Sequence, residues 1–359
     1  MTSQTRQKIL DAHQSNTSLL TPAPDPMMHN MHDLGAEEMQ FPLDEQIIAT
    51  SSGAMEAGHT HYVPVPGIPE LREAIATHLS ADYESGHVLV TAGMQEARFL
   101  TIQLIGKDAG GVAIPAVTHP GVLRAVGTRP LAVTRMEVDE RKLATSDAIQ
   151  SALEAGTKLI YLESPSRLTG AAYSADEVSA IADMLKAHDA GVIWDQGFAP
   201  WSDAAPSIAD MDGMTERTAV IGEAFPGSGL ASWYIGYIAA PDAWFPPMQS
   251  QKQIMAICTS TASQYAAVEA AKLFSESHTA RVNQLGKQRD IVLAAAQEAG
   301  LSVLDGSAVN VIAVEMSDAQ VQTLTDAGYS VASGADFGSP GVVRLLVSTA
   351  AADALKHLA

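Results

Sequence analysis

Residues 161–198 read YLESPSRLTGAAYSADEVSAIADMLKAHDAGVIWDQGF. The stretch opens on the end of an apolar run, TKLIYLE, and closes on a second apolar run, GVIWD; each run has the length of a buried strand. Between the two, ADEVSAIADMLKAHDA carries apolar residues at helical spacing. A strand, a helix and a strand in succession are typical of an α/β fold with a mainly parallel sheet.

The same alternation continues in both directions along the chain. Further strands are predicted in HVLVTAG (87–93), GGVAIP (110–115), RPLAVTRM (129–136), TAVIGEAF (218–225) and WYIGYIAA (233–240). Helices are predicted in PELREAIATHLSADY (69–83) and MQEARFLTIQLIG (94–106). The fold class predicted from this pattern is α/β, with helices flanking a mainly parallel sheet in a large domain.

A second, smaller α+β domain is predicted at the end of the chain. Residues 263–300 are nearly all helix-forming, and they lead to strand-like runs in 300–316 and 341–349. Residues 20–45 are rich in Pro and Met and predict an extended arm. We therefore expect an arm with part of the small domain over 1–45, a large domain over 46–285 and a small domain over 286–359.

Composition excludes several classes of protein. The 359 residues contain 21 Lys and Arg against 41 Asp and Glu, a formal charge of −20, which disfavours nucleic acid and anionic membranes as partners. The single cysteine, Cys258, rules out an intrachain disulfide and a zinc site built from thiolates. Residues 1–20 are too polar for a signal peptide and no apolar stretch has the length of a membrane span, so we expect a cytoplasmic protein.

Three predicted strands end in residues that carry chemistry. Gly93 follows HVLVTAG, Asp195 follows GVIW and Glu223 follows TAVIG. Because ligands bind beyond the carboxyl ends of the strands in open parallel sheets, these ends predict a site.

From about Asp33 to Ser348, the order of segments resembles the fold type I, pyridoxal-phosphate-dependent aminotransferases of class I/II. The segments that carry the resemblance are HYVPVPGIPELREAIATHL (61–79), VLVTAGMQEA (88–97), IPAVTHPGVLRAV (114–126), residues 161–198 and SPGVVRLLVS (339–348). The resemblance implies the α/β fold described above. It also implies a homodimer, with Tyr62 and the N-terminal arm close to the partner's site.

The resemblance assigns roles to several residues of this chain. Asp195 would lie at the pyridine nitrogen of pyridoxal phosphate, and Tyr62 would reach the cofactor phosphate. A helix start at the three residues Gly93, Met94 and Gln95 would offer backbone N–H groups to that phosphate. Arg344, flanked by apolar strand residues, would grip the α-carboxylate of the substrate through two hydrogen bonds.

Other positions depart from the family's pattern. The lysine that forms the Schiff base corresponds to Pro226, or to Gly227 if the turn is shifted by one residue, and no lysine occurs between Lys186 and Lys252. The remaining departures concern cofactor contacts. At each of these positions this chain has a different residue from the family. It has Tyr234 instead of the arginine that binds the phosphate, Glu223 instead of a serine, Arg167 instead of an asparagine, Leu168 instead of the proline after it, Phe198 instead of a tyrosine and His119 instead of the aromatic residue that stacks on the ring.

These departures weaken the case for the family's cofactor. A charge-assisted hydrogen bond contributes roughly 1.5–3 kcal/mol, so loss of the arginine, serine and asparagine contacts removes on the order of 5–8 kcal/mol. At about 1.4 kcal/mol per tenfold change, cofactor binding would weaken by about three to six decades. The cofactor is therefore unknown: pyridoxal phosphate is implied by the family, whereas its lysine and its phosphate arginine are absent.

Two interpretations of the altered pocket remain open at the level of sequence. In one, Arg167, Arg344 and Tyr234 bind an anionic ligand while His119 or Glu223 moves protons, with Asp195 in the same site. In the other, Asp195, Glu223 and His119 hold a divalent metal. The further metal candidates are the pairs His59 with His61 and His29 with His32, for which an exposed loop is the simpler interpretation. We predict no metal.

Three hypotheses of function follow. The first is a protein of aminotransferase fold that acts on or binds an amino-acid-like carboxylate without the lysine imine; the survival of Arg344 and Asp195 favours an enzyme with non-standard chemistry. The second is a non-catalytic homologue that senses a ligand or serves as a partner subunit. The third is a transaminase or dehydratase that holds pyridoxal or pyridoxamine phosphate without a covalent bond.

Overall fold

A computed structural model describes residues 32–37, 41–203 and 205–359 of the protein. Most of the arm predicted over residues 20–45, including His29, lies outside the described residues. Within the described part, the chain enters through a short strand at His32–Asp33 and reaches its first helix at Glu45.

The chain alternates strands and helices through most of its length. The strands, β1 to β12 in chain order, are His32–Asp33, Val88–Ala92, Val112–Pro115, Val133–Met136, Leu159–Glu163, Gly191–Asp195, Thr218–Glu223, Ile235–Ala239, Val311–Glu315, Tyr329–Ser330, Ala332–Ser333 and Val342–Leu346. The helices, α1 to α12, are Glu45–Glu56, Pro69–His78, Gly93–Leu100, Gly106–Asp108, Pro120–Gly127, Ser146–Glu154, Ala175–Ala187, Phe245–Ala256, Thr261–Glu298, Asp318–Asp326, Gly334–Phe337 and Thr349–Leu355. A π-helical stretch, Thr101–Ile105, joins α3 to α4.

A seven-stranded sheet forms the centre of the larger unit, in the order β2-β8-β7-β6-β5-β3-β4. The pairs from β7 to β4 are parallel, whereas β8 runs antiparallel to both β7 and β2. Strand β8 reverses because only a short loop connects it to β7, and a parallel partner needs a longer crossover. The predicted α/β class with a mainly parallel sheet is confirmed.

Both faces of this sheet are covered, which explains the continuous apolar runs in the sequence. On β6, Val192 and Trp194 pack in one core cluster with Ile181 of α7. Ile193, which points to the opposite face, packs in another cluster with Ile102 of the π-helical stretch. All three of these β6 side chains are fully buried.

A smaller three-stranded antiparallel sheet, in the order β11-β12-β9, follows near the end of the chain. Its core includes Leu285 and Val292 of the 38-residue helix α9. Strand β1 pairs in parallel with β10, and the N–H of Leu346 donates to the carbonyl of Leu34, so the first described residues attach to this unit. The division at residue 285 falls inside α9, and the three-part domain division stays a prediction.

The long helices of the protein are amphipathic or packed against the sheets. None of the helices in the described ranges combines the length and the apolar character that crossing a bilayer requires.

Candidate functional site

The predicted strand ends do meet at one edge of the large sheet. Asp195 ends β6, Glu223 ends the neighbouring strand β7, and Glu163 ends β5 on the other side of β6. Gly93 begins α3 with φ of +71°, directly after β2. Arg344, in the middle of β12, faces this edge from the small sheet and donates to the carbonyl of Arg167 at 2.8 Å.

Asp195 is fully buried and bound to an arginine of the same chain. Its Oδ2 accepts hydrogen bonds from Arg98 Nε at 3.1 Å, Arg98 Nη2 at 2.9 Å and the Tyr161 hydroxyl at 2.7 Å. Its Oδ1 accepts from the backbone N–H of Gly197 at 3.0 Å. Burial alone would raise the pKa of Asp195, but the charges of Arg98 and Arg167 outweigh it and lower the pKa. Asp195 is therefore an ionised carboxylate with donors on both oxygens.

Glu163 is a second buried carboxylate that the sequence did not single out. Its Oε1 accepts from the Thr118 hydroxyl at 2.6 Å and the backbone N–H of His119 at 2.7 Å, and its Oε2 accepts from the N–H of Arg167 at 3.1 Å. Burial and the charge of Asp195 raise its pKa. Glu163 thus fixes the loops that carry His119 and Arg167, and its position as the last residue of a strand was the available signal.

Glu37 brings three predicted site residues together, although the sequence analysis did not identify it. Its Oε1 lies 3.0 Å from Arg344 Nη1 and 3.0 Å from His119 Nε2, and its Oε2 accepts from Arg167 Nη2. Burial would raise the pKa of Glu37, but Arg167, His119 and Arg344 hold it well below its ordinary value of 4.5. One ionised carboxylate therefore bridges both arginines.

His119 is hydrogen-bonded at both ring nitrogens. Its Nδ1 accepts from the backbone N–H of Gly121 at 2.9 Å, which assigns the proton to Nε2, the nitrogen that faces Glu37. Burial and the nearby charge of Arg98 lower the pKa of His119 to about 4, in spite of the opposing effect of Glu37. The imidazole is neutral at pH 7, and protonation of Nδ1 would break the bond to Gly121.

The two arginines retain buried N–H groups beyond their contacts with Glu37. In the described part of the chain, Arg167 Nε and Nη1 and Arg344 Nε have no hydrogen-bond partner. The Arg167 guanidinium lies 4.0 Å above the ring centroid of Phe198, and its Nη2 is 3.9 Å from Glu223 Oε1. This cationic centre therefore has donors for more acceptor atoms than one carboxylate supplies.

A cavity of about 200 Å³ is lined by Glu223, whose carboxylate is 3.9 Å from Arg167, whereas neither Arg167 nor Arg344 belongs to the lining. Its lining contains the predicted residues Gly93, Met94, Gln95, Glu223, Tyr234 and Pro226, and the described residues that line it include no lysine. Tyr234 adopts a left-handed backbone with φ of +52° and is 65% exposed. Glu223 is the one carboxylate side chain among the described residues that line the cavity.

Two sets of predicted residues lie apart from this arrangement. Tyr62 is 79% exposed and does not line the cavity of the single chain. The structure does not gather Asp195, Glu223 and His119 into one group: no three His, Cys, Asp or Glu side chains among the described residues lie close enough to hold a metal ion. Asp195 is instead hydrogen-bonded to Arg98, and the ring of His119 contacts Glu37.

Comparison with known proteins gives consistent matches over nearly the whole chain. The model of the family aminotransferase class I and II matches residues 29–359. An aspartate aminotransferase of Pyrococcus abyssi is 28% identical over 347 residues, which cover 90% of this chain and 88% of that protein.

Solved structures match the fold equally broadly. The aromatic aminotransferase from Pyrococcus horikoshii superposes with a TM-score of 0.84 at 26% identity, over 96% of this chain and 97% of that one. The aspartate aminotransferase from Thermus thermophilus with maleate superposes with a TM-score of 0.82 at 24% identity, with the same coverage. The second likeness shows the fold alone.

We expect strong coupling between Arg98 and Asp195. Arg98→Met leaves a buried carboxylate with too few donors, so the free energy of unfolding should fall by about 3–5 kcal/mol. Asp195→Asn should lower the free energy of unfolding by a comparable amount. The double variant, Arg98→Met with Asp195→Asn, should lower it by about 1–3 kcal/mol less than the sum of the two single changes. Urea unfolding of the four proteins measures the coupling. Arg129→Met, at an exposed arginine, is the control, and additive effects would contradict the pairing.

The neutral state of His119 predicts a loss of stability in acid. The unfolded histidine binds a proton near its ordinary pKa of 6.5, whereas the folded one binds it only near 4. Stability is therefore full above about pH 6.5 and falls as the pH is lowered towards 4, by about 2 kcal/mol between pH 6.5 and 4.5.

The matched variant is His119→Asn, which keeps an acceptor for the N–H of Gly121 but does not titrate. We expect its free energy of unfolding, measured by urea titration, to vary with pH less than that of the wild type by that amount. Equal pH dependence in the two proteins would show that His119 is not held neutral by the fold.

Proposed function

The chain belongs to the aminotransferase class I and II family, and on that premise we propose that it binds the carboxylate of an amino-acid-like ligand between Arg344 and Arg167, without the lysine imine of the family. One observation carries the proposal: the carboxylate of Glu37 already lies between these two arginines. A site that holds one carboxylate in this way has the donors and the charge to hold another.

The energetics of the arginine pair support an anionic ligand. Arg167 and Arg344 are almost completely buried. A buried charge without a counter-ion costs several kcal/mol, so the pair requires a negatively charged group at all times. The unpartnered Nε and Nη1 of Arg167 and Nε of Arg344 point to a ligand with additional acceptor atoms. The aspartate aminotransferase from Thermus thermophilus, which shares this fold, was solved with maleate, a dicarboxylate.

Pyridoxal phosphate does not fit the residues around Asp195. By resemblance, Asp195 would lie at the pyridine nitrogen, yet its Oδ2 already accepts three hydrogen bonds from Arg98 and Tyr161. Its Oδ1 faces the N–H of Gly197. A pyridinium would have to share this carboxylate with Arg98, which would bring two cations together at one buried anion.

The surroundings of Pro226 also disfavour pyridoxal phosphate. The cavity beside Pro226 has about 200 Å³, below the roughly 300–1,000 Å³ of typical ligand pockets. Glu223, which lines it, would repel a phosphate. Lys252 is the first lysine after Lys186, and it is fully buried and bound to Glu96 at 2.9 Å. We therefore place Pro226 at the family's lysine position and propose no alternative Schiff-base lysine.

The state of His119 favours binding over turnover. A general base is most effective when its pKa lies near the working pH, and a pKa of about 4 makes His119 a weak base at neutral pH. Glu223 remains the one candidate proton carrier in the cavity lining. We therefore propose a ligand-binding, sensing role in the cytoplasm, with catalysis by Glu223 as the alternative that turnover assays would reveal.

We also propose a homodimer. Several large apolar side chains are exposed on the single chain, one in the cavity lining and three in or next to α8, which suits burial against a second copy. These side chains are Tyr62, Tyr234, Ile254, Met255 and Ile257.

Calorimetry with L-aspartate, L-glutamate and maleate tests the carboxylate site. We expect at least one of these to bind with a Kd on the order of 1 mM. Arg344→Met should weaken binding by about 10- to 100-fold, because a charge-assisted hydrogen bond contributes about 1.5–3 kcal/mol. The control Arg129→Met should bind as the wild type does. Equal affinity of the wild type and Arg344→Met would contradict the proposal.

Absorbance after incubation with excess pyridoxal phosphate tests the cofactor separately. Because Asp195 is paired with Arg98 and Pro226 cannot form an imine, we expect no protein-bound band in the visible range after desalting. The paired variant Arg98→Leu frees Asp195 and serves as the comparison. A stable band in the wild type would instead favour the alternative with a non-covalently held cofactor.

A further inference from the structure

We infer that Glu37 is an internal competitor for the carboxylate site, and that an external carboxylate binds only after the Glu37 side chain has moved aside. The inference rests on the proposed function, because it assigns a specific regulator to that site. Glu37 precedes the first helix and lies 307 residues before Arg344 in the sequence, so the contact is made by the fold and not by local geometry.

The manner in which Glu37 is held is that of a bound ligand. Each of its two oxygens contacts a different arginine, Oε1 with Arg344 and Oε2 with Arg167, and His119 Nε2 donates to Oε1. These three donors fill three of the roughly four acceptor sites of a carboxylate. A free carboxylate and Glu37 therefore compete for the same donor atoms.

Exchange of Glu37 for a ligand carboxylate keeps the charge balance of the buried site. Arg167 is 0% exposed and Arg344 is 2% exposed, so removal of every anion from the pair would leave two uncompensated buried cations. Replacement of one carboxylate by another avoids this cost. One carboxylate thus accompanies the two arginines in either state, that of Glu37 without a ligand and that of the ligand when one is bound.

The structure confines the exchange to the side chain. The backbone around Glu37 is anchored, because the N–H of Leu34 donates to the carbonyl of Ser330 at 2.8 Å and Asn310 Nδ2 donates to the carbonyl of Glu37 at 3.1 Å. The side chain itself is 25% exposed, so it borders solvent. Rotation about its staggered torsions carries the carboxylate outward without breaking the pairing of β1 with β10.

Glu37 does not supply acceptors for all the N–H groups of the two arginines. Arg167 Nε and Nη1 and Arg344 Nε stay unpartnered while Glu37 is in place. A buried donor without an acceptor costs about 1–3 kcal/mol. A ligand with further acceptor atoms recovers part of that cost, which gives an external carboxylate an advantage over the internal one.

The test compares Glu37→Gln with the wild type by calorimetry with L-aspartate and maleate. An intramolecular competitor acts at an effective concentration of about millimolar or above, so its neutralisation should tighten binding by about tenfold or more. Glu37→Asp keeps the charge but shortens the side chain, and it should tighten binding less. Glu45→Gln, an identical change at an exposed residue of α1, should leave the affinity unchanged.

Stability supplies a readout that does not depend on the choice of ligand. Glu37→Ala vacates the position between the arginines, so its thermal midpoint should fall below that of the wild type. Sodium acetate should raise the midpoint of Glu37→Ala more than sodium chloride of equal ionic strength does. The wild type should show a smaller difference between the two salts, because acetate must first displace Glu37.

The outcomes separate this inference from the proposed function. If Glu37→Gln binds as the wild type does, or more weakly, while Arg344→Met abolishes binding, the competitor is disproved and the carboxylate site stands. If Glu37→Gln binds more tightly than the wild type, and the double variant Glu37→Gln with Arg344→Met does not, the competitor and the carboxylate site are both supported. If neither the wild type nor Glu37→Gln binds a carboxylate and acetate has no specific effect, both are wrong.

Discussion

Three buried arginine side chains require carboxylates beside them, and this requirement organises the whole site. Arg98 forms an ion pair with Asp195, while Arg167 and Arg344 both form ion pairs with Glu37. A lone charge in such a place would cost several kcal/mol, so each pair fixes the elements that carry it. These pairs join α3 to β6 and the first described residues to β12.

The same pairs engage residues to which the resemblance assigns cofactor roles. Asp195, expected at a pyridine nitrogen, pairs with Arg98. Arg167, which the resemblance aligns with a neutral amide, pairs with Glu37 and lies 3.9 Å from Glu223. The added cation is thus accompanied by carboxylates, which supports the proposed binding site.

Much of the fold could be predicted from the sequence, because a strand buried on both faces shows itself as a local apolar run, as in GVIWD. Arg344 stood out for a similar reason, since a charge inside an apolar strand needs a partner. Glu37 could not be found in this way, because its partners are distant in sequence and its neighbours give no pattern. Arg98 resembled an ordinary helix-surface charge in MQEARFL, and only the packing of α3 against β6 shows that it is buried.

A crystal structure grown with maleate and pyridoxal phosphate both in excess would show which carboxylate the two arginines hold. We expect a maleate carboxylate between Arg167 and Arg344, the side chain of Glu37 turned towards solvent, and Arg98 still bound to Asp195. A pyridoxal phosphate ring against Asp195, with Arg98 displaced and Glu37 still between the two arginines, would contradict it.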